Sequence, residues 1–164
     1  MKKIVLLFLL VIIGCSSSGN IPISKSLEKL LRADYNDNGF VIFEDPETED
    51  YVQYALEEKG LLLVWPYFSD YPGHQTADID KVKDILNKFS FSEDLDNKPV
   101  DRNYIVNMNS GEYIYDSDTA FPGIYAMCGT DVQMLESLTI EFFKEIYGFS
   151  EIERLKTQLV LENW

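Results

Sequence analysis

Apolar residues gather into three short runs in the first half of the chain, separated by acidic turns. Residues 39–43 and 61–65 are almost entirely apolar, and residues 51–55 alternate between apolar and polar. Runs of this length are typical of strands, and the alternation indicates a strand with one wetter face. Residues 45–49 and 57–60 carry the turn signals. The pattern predicts a three-stranded meander on which the rest of the chain packs.

Helical spacing appears in three further segments, 24–33, 77–91 and 130–148, each with leucine, isoleucine or phenylalanine recurring every three or four residues. The expected caps are Ser24 or Ser26 for the first helix and Thr76 or Asp78 for the second. In the third, residues 130–133 read as a capping box opened by Thr130. Gly148 is expected to stop this last helix.

The remaining segments predict further strands between the second and third helices. Residues 102–108 alternate, residues 112–115 follow a turn, and residues 123–127 read as another strand. Residues 90–99 read as an acidic loop, and the tail 152–164 as one more short helix or strand. The sequence therefore predicts an α+β fold in the order α-β-β-β-α-β-β-α, with an antiparallel sheet, helices on one face, and one β segment unassigned.

The N-terminus has the composition of a bacterial lipoprotein signal. Two lysines precede ten apolar residues, and Gly14-Cys15 follows directly. Ten residues are too few to cross a hydrocarbon core of about 30 Å, which takes roughly 20 in a helix, but they suit a signal peptide. Residues 12–15 resemble the lipobox, which implies diacylglycerol on the Cys15 thiol, cleavage after Gly14, and palmitate or another acyl chain on the new amino group. The alternative is an ordinary secretory signal with a chance cysteine.

These features predict a signal peptide over 1–14, a lipidated tether over 15–25, and a single domain over 26–164. The tether is rich in Ser, Gly, Asn and Pro, as flexible linkers are. The expected location is the bacterial cell envelope, on either the inner or the outer membrane, through the lipid anchor at Cys15.

The net charge limits the classes of partner that the protein is expected to bind. The chain has fourteen Lys and Arg and twenty-eight Asp and Glu, which gives a net charge of −14. Residues 1–14 include two of the lysines and no acidic residue, so the segment after residue 14 has a net charge of −16. Such a charge repels phosphate backbones and anionic lipid headgroups, so nucleic acid is not expected to bind and the domain is expected to stay off the membrane surface. Basic protein segments are the favoured partners, although solubility alone also explains the charge.

One loop resembles an EF-hand. Asp34, Asn36, Asn38 and Asp45 occupy ligand positions of a twelve-residue loop, and Gly39 sits where the sharp turn is needed. The aspartate at the last position is shorter than the usual glutamate, and no helical pattern follows. The two hypotheses are a calcium site and an Asx-rich turn entering a strand.

Other reactive residues stand apart from one another in the sequence. His74, the one histidine, lies in a Pro-Gly turn region with no nucleophile motif beside it. Asp116 and Asp118 are a metal candidate on a loop, against a plain solvated loop. With Cys15 lipidated, Cys128 has no disulfide partner. The sequence therefore predicts no catalytic residues, no cofactor and no enzymatic activity.

The pattern of elements resembles a known family. Residues 40–43, 51–54 and 147–148, with the strand 60–66, resemble the bacterial TY-Chap domain (Tir-chaperone/YbjN-like), and the element order is that of type III secretion chaperones. The resemblance spans about residues 27–161 and departs at the 67–78 connection and the 117–123 insert. It implies a non-enzymatic domain that dimerises or holds another polypeptide, so the expected function is a lipid-anchored, chaperone-like module with a protein client or a second copy as partner.

Overall fold

The computed structural model describes residues 17–19, 21–34, 39–66, 77–94, 108–116 and 122–161. Within these ranges the chain is an α+β fold with three helices and one mostly antiparallel sheet. The strands are β1 (Ser17–Gly19), β2 (Phe40–Glu44), β3 (Tyr51–Glu57), β4 (Gly60–Pro66), β5 (Ser92–Glu93), β6 (Glu112–Asp116), β7 (Gly123–Gly129) and β8 (Lys156–Val160). The helices are α1 (Ile23–Leu31), α2 (Ala77–Lys88) and α3 (Val132–Glu145), and a 3-10 turn, Ile152–Arg154, precedes β8.

The predicted meander is confirmed. Strands β2, β3 and β4 are consecutive antiparallel neighbours, with Val41 opposite Tyr54 at the centre of the first pair. The buried Asp45 carboxylate holds the first turn, because it accepts hydrogen bonds from the Glu47 N–H at 2.8 Å and from Thr48 Oγ1 at 3.0 Å. Both turns therefore fall where the acidic residues interrupt the apolar runs.

The sheet is larger than the meander, with strand order β1-β8-β2-β3-β4-β7-β6-β5. Its neighbouring pairs are antiparallel except β5 with β6. The predicted order omits β1, β5 and β8. Strands β1 and β5 have three and two residues, too few for a hydrophobic pattern, so the sequence does not show them. Of the predicted strand 102–108, only Met108 is described, and it is not in a strand.

The three helices pack against one face of this sheet. The buried apolar residues of the helices form a single cluster with every second residue of the strands. The largest fully buried members of this cluster are Trp65, Tyr54, Tyr113, Phe43, Phe142 and Phe143. Residues of the opposite alternation form a second, smaller cluster of Leu62, Met108, Ile114 and Met127. Burial of so many aromatic and aliphatic side chains on one face is the main stabilising term of the fold.

A buried hydrogen-bond chain joins α3 to the centre of the sheet. Thr139 Oγ1 donates to the Leu135 carbonyl at 2.8 Å, and its oxygen lies 2.9 Å from the Tyr54 hydroxyl. Since the threonine proton points to Leu135, the tyrosine is the donor of this second bond. The chain gives every member a partner in an apolar layer, where an unpaired hydroxyl costs about 1–3 kcal/mol.

The folded part of the chain begins earlier than predicted. Strand β1 pairs with β8, from Ser17 opposite Leu159 to Gly19 opposite Thr157. Helix α1 then begins at Ile23. Within the predicted tether over 15–25, residues 17–19 therefore form a strand and residues 23–25 form the first turn of α1. Small polar residues look like linker in the sequence, but their backbone still pairs with an open strand edge.

The expected cap of α1 is also wrong. The residue at the N-cap position is Pro22. Ser24 lies inside the helix, and Ser26 is buried against the core, where its hydroxyl has no hydrogen-bond partner. The helix needs no N–H from the residue at this position, so proline is tolerated there, and α1 starts at Ile23, one residue before the nearest serine.

Helix α3 is capped by Asp131 and not by Thr130. Asp131 Oδ1 accepts hydrogen bonds from the Gln133 N–H at 3.0 Å and the Met134 N–H at 3.1 Å. A carboxylate satisfies two exposed donors and opposes the positive end of the helix dipole, so it outcompetes the neighbouring hydroxyl. At the other end Gly148 has φ +67, as a left-handed stop requires. The caps proposed for α2 lie outside the residues whose side chains are described.

Candidate functional site

A pocket lies at the end of the sheet where β3 turns into β4. The C-terminal end of α1 and the start of α3 close its other sides. Its volume is about 240 Å³, and it is lined by Leu31, Ala33, Asp34, Leu56, Glu57, Glu58, Gly60 and Thr130. Leu56 is buried, Leu31 and Ala33 are half-buried, and Asp34 and Glu58 are exposed. The pocket therefore has an apolar floor and an acidic rim.

The hairpin that carries the rim is fixed by Gly60. This residue has φ +124, and a Cβ there would lie 2.4 Å from the Gly129 carbonyl carbon and oxygen. Only glycine adopts this conformation without strain and allows so close an approach of two backbones. The approach coincides with a shift of register between Leu61 and Leu62, where β4 meets β7. The two glycines thus hold the hairpin and the start of α3 at a fixed separation.

Acidic side chains and the end of one helix surround the pocket. Asp34, Glu57 and Glu58 contribute three carboxylates to its lining. Helix α1 also ends there, and the C-terminal end of a helix carries a partial negative charge. Two cations lie in the same segments: Lys59 Nζ donates to the Met108 carbonyl at 3.0 Å, and Arg32 lies 3.6 Å from the Glu28 carboxylate. Such a pocket suits a cationic group joined to a short apolar one.

The calcium hypothesis is not supported by the geometry. Asp34 lines the pocket beside Leu56, and Asp45 follows the five extended residues Phe40–Glu44, which span about 17 Å away from that end of the sheet. EF-hand ligands converge on one ion at 2.3–2.6 Å. The segment after Asp45 is a turn and strand β3, where an EF-hand needs a helix. Asn36 and Asn38 lie outside the described residues. The part of the loop after Gly39 is therefore strand β2, and the calcium site stays a prediction.

Of the other candidate residues, the structure describes Asp116 alone. Asp116 is 4% exposed at the end of β6, whereas Asp118 and His74 lie outside the described residues. Within the described ranges no group of three or more His, Cys, Asp or Glu side chains is placed to hold a metal ion.

Cys128 is buried in the main core. Its Sγ donates to the Ala126 carbonyl at 3.3 Å, and burial raises the pKa of its thiol to about 12. A reactive cysteine needs a lowered pKa and solvent access. Cys128 therefore serves packing and offers no nucleophile.

We expect the free energy of unfolding to fall between pH 9 and 10 because of Cys128. The unfolded thiol loses its proton near pH 8.5–9, whereas the folded thiol keeps it to about pH 12. Full stability is present below the unfolded pKa, and above it the slope reaches at most about 1.4 kcal/mol per pH unit. The Tyr54 hydroxyl, whose pKa burial also raises, contributes only above about pH 10.

Urea unfolding at pH 7, 9, 9.5 and 10 measures this slope. The matched variant is Cys128→Ala, which removes the thiol and should show a flatter profile between pH 9 and 10. An identical slope in the wild-type chain and the variant would assign the decline to other groups.

No protein-family model, no curated protein and no solved structure matches this chain. The resemblance to the TY-Chap domain therefore stays a prediction, and the α+β architecture is the level at which the structure defines the class. Helices of sufficient length and apolar character to cross a bilayer are absent from the described residues. Cys15, the predicted lipidation site, lies outside those residues.

The sequence did not predict the pocket. Residues 57–60 are predicted only as a turn, Asp34 only as a calcium ligand, and Thr130 only as a helix cap. The one signal that pointed toward this site is the acidic pair Glu57-Glu58 directly before a glycine, in a chain whose charge already favours basic partners.

Proposed function

We propose that this chain is a lipid-anchored envelope protein whose domain is non-enzymatic and binds a basic segment of another polypeptide in the pocket between α1 and the β3–β4 hairpin. The observation that carries the proposal is the combination of an apolar floor with carboxylates from Asp34, Glu57 and Glu58. A lysine or arginine next to a leucine or alanine matches both parts, since its stem packs on the floor and its charge meets the rim.

The anchor rests on the sequence of the N-terminus. The apolar segment, the Gly14-Cys15 pair and its lipobox likeness support diacylglycerol attachment at Cys15. Loss of palmitate labelling in Cys15→Ala tests this part by itself. Unchanged labelling would remove the anchor from the proposal without affecting the pocket.

The chaperone-like part of the proposal draws support from the element order. After β1, the chain runs α1, β2, β3, β4, α2, then β6, β7 and α3, with β5 and β8 added. The helices share one face of a mostly antiparallel sheet, as expected for a domain of the TY-Chap kind. The described surface exposes one large apolar side chain, Leu161, at 40%. A broad apolar client surface is therefore not the favoured mode, and a short basic segment is.

Isothermal titration of the full chain, in detergent at low ionic strength, with a synthetic peptide of alternating lysine and leucine tests the binding. The double variant Glu57→Gln with Glu58→Gln should weaken binding three- to tenfold, because exposed ion pairs contribute about 0.2–1 kcal/mol each. Binding should also weaken in 0.5 M salt, where charges are screened.

The matched control is Glu49→Gln with Glu153→Gln. Both residues are exposed, and Glu49 lies in the β2–β3 turn at the other end of the strands. The control loses the same charge and should keep the wild-type affinity. Equal losses in the two double variants would mean that net charge, and not the pocket, attracts the peptide.

A further inference from the structure

We draw no further inference here: the strongest candidate, the apolar patch on the face of the sheet opposite the helices, where the half-buried Val64 and Tyr125 lie beside the buried cluster around Leu62, carries nothing because no contact in the described part of the chain shows what covers it.

Discussion

Gly60→Ala should be among the most destabilising single substitutions in this protein, at about 3–5 kcal/mol. Two costs add. An alanine at φ +124 is strained, and its Cβ would meet the Gly129 backbone at 2.4 Å. Backbone atoms of a paired strand cannot move aside as the end of a flexible side chain does, so β4 and β7 must separate. Because native domains are stable by about 5–15 kcal/mol, this is a large fraction of the total.

Urea denaturation followed by circular dichroism measures the loss. The matched control is Gly111→Ala. Gly111 also has a positive φ, +88, but nothing lies within 4 Å of its would-be Cβ. The free energy of unfolding of that variant should fall by only about 1–2 kcal/mol, the cost of an alanine at a positive φ. If the two alanine variants lose the same stability, the close approach of β4 and β7 does not hold the hairpin.

Phe142→Ala should cost about 3–5 kcal/mol, the range for removing a buried aromatic side chain. Phe142 is fully buried on the face of α3 that meets the sheet and the other two helices. Its removal leaves a cavity at the junction of the two layers. The surrounding side chains come from several elements and relax only in part.

The same unfolding measurement applies, with Ser137→Ala on the exposed side of α3 as control. That substitution should change stability by no more than about 0.5 kcal/mol. A loss below about 1.5 kcal/mol in Phe142→Ala would contradict the packing of α3 across the sheet.

The meander and α3 were predictable because their patterns are long. Residues 51–57 alternate over a complete strand, and α3 repeats apolar residues through four turns. Such elements form because they bury a large apolar area, and the regular spacing of apolar residues in the sequence shows which residues are buried. Strand β8 has only Thr157 and Leu159 on its inner side, with Leu155 just before it, which is too little to separate a strand from a short helix. Strand β1 is Ser-Ser-Gly and is defined by the edge it pairs with.

The pocket was not predictable for a different reason. Its lining comes from three segments, around Ala33, Glu57 and Thr130, which no local pattern connects. They meet because α1 turns back over β2 and because Gly60 lets β4 approach Gly129. The EF-hand likeness arises for a related reason. Oxygen ligands at alternate positions also describe a turn leading into an extended strand, and the apolar residues 40–43 favour the strand.

The central claim is that basic segments bind at the acidic end of the sheet, between α1 and the β3–β4 hairpin. Amide chemical shifts of the full chain in detergent, recorded during titration with the lysine–leucine peptide, test it most directly. We predict saturable shifts for residues 31–34, 56–60 and 130, and none beyond noise for residues 45–50 at the opposite end. Shifts centred on residues 45–50, or an unchanged spectrum at saturating peptide, would contradict the claim.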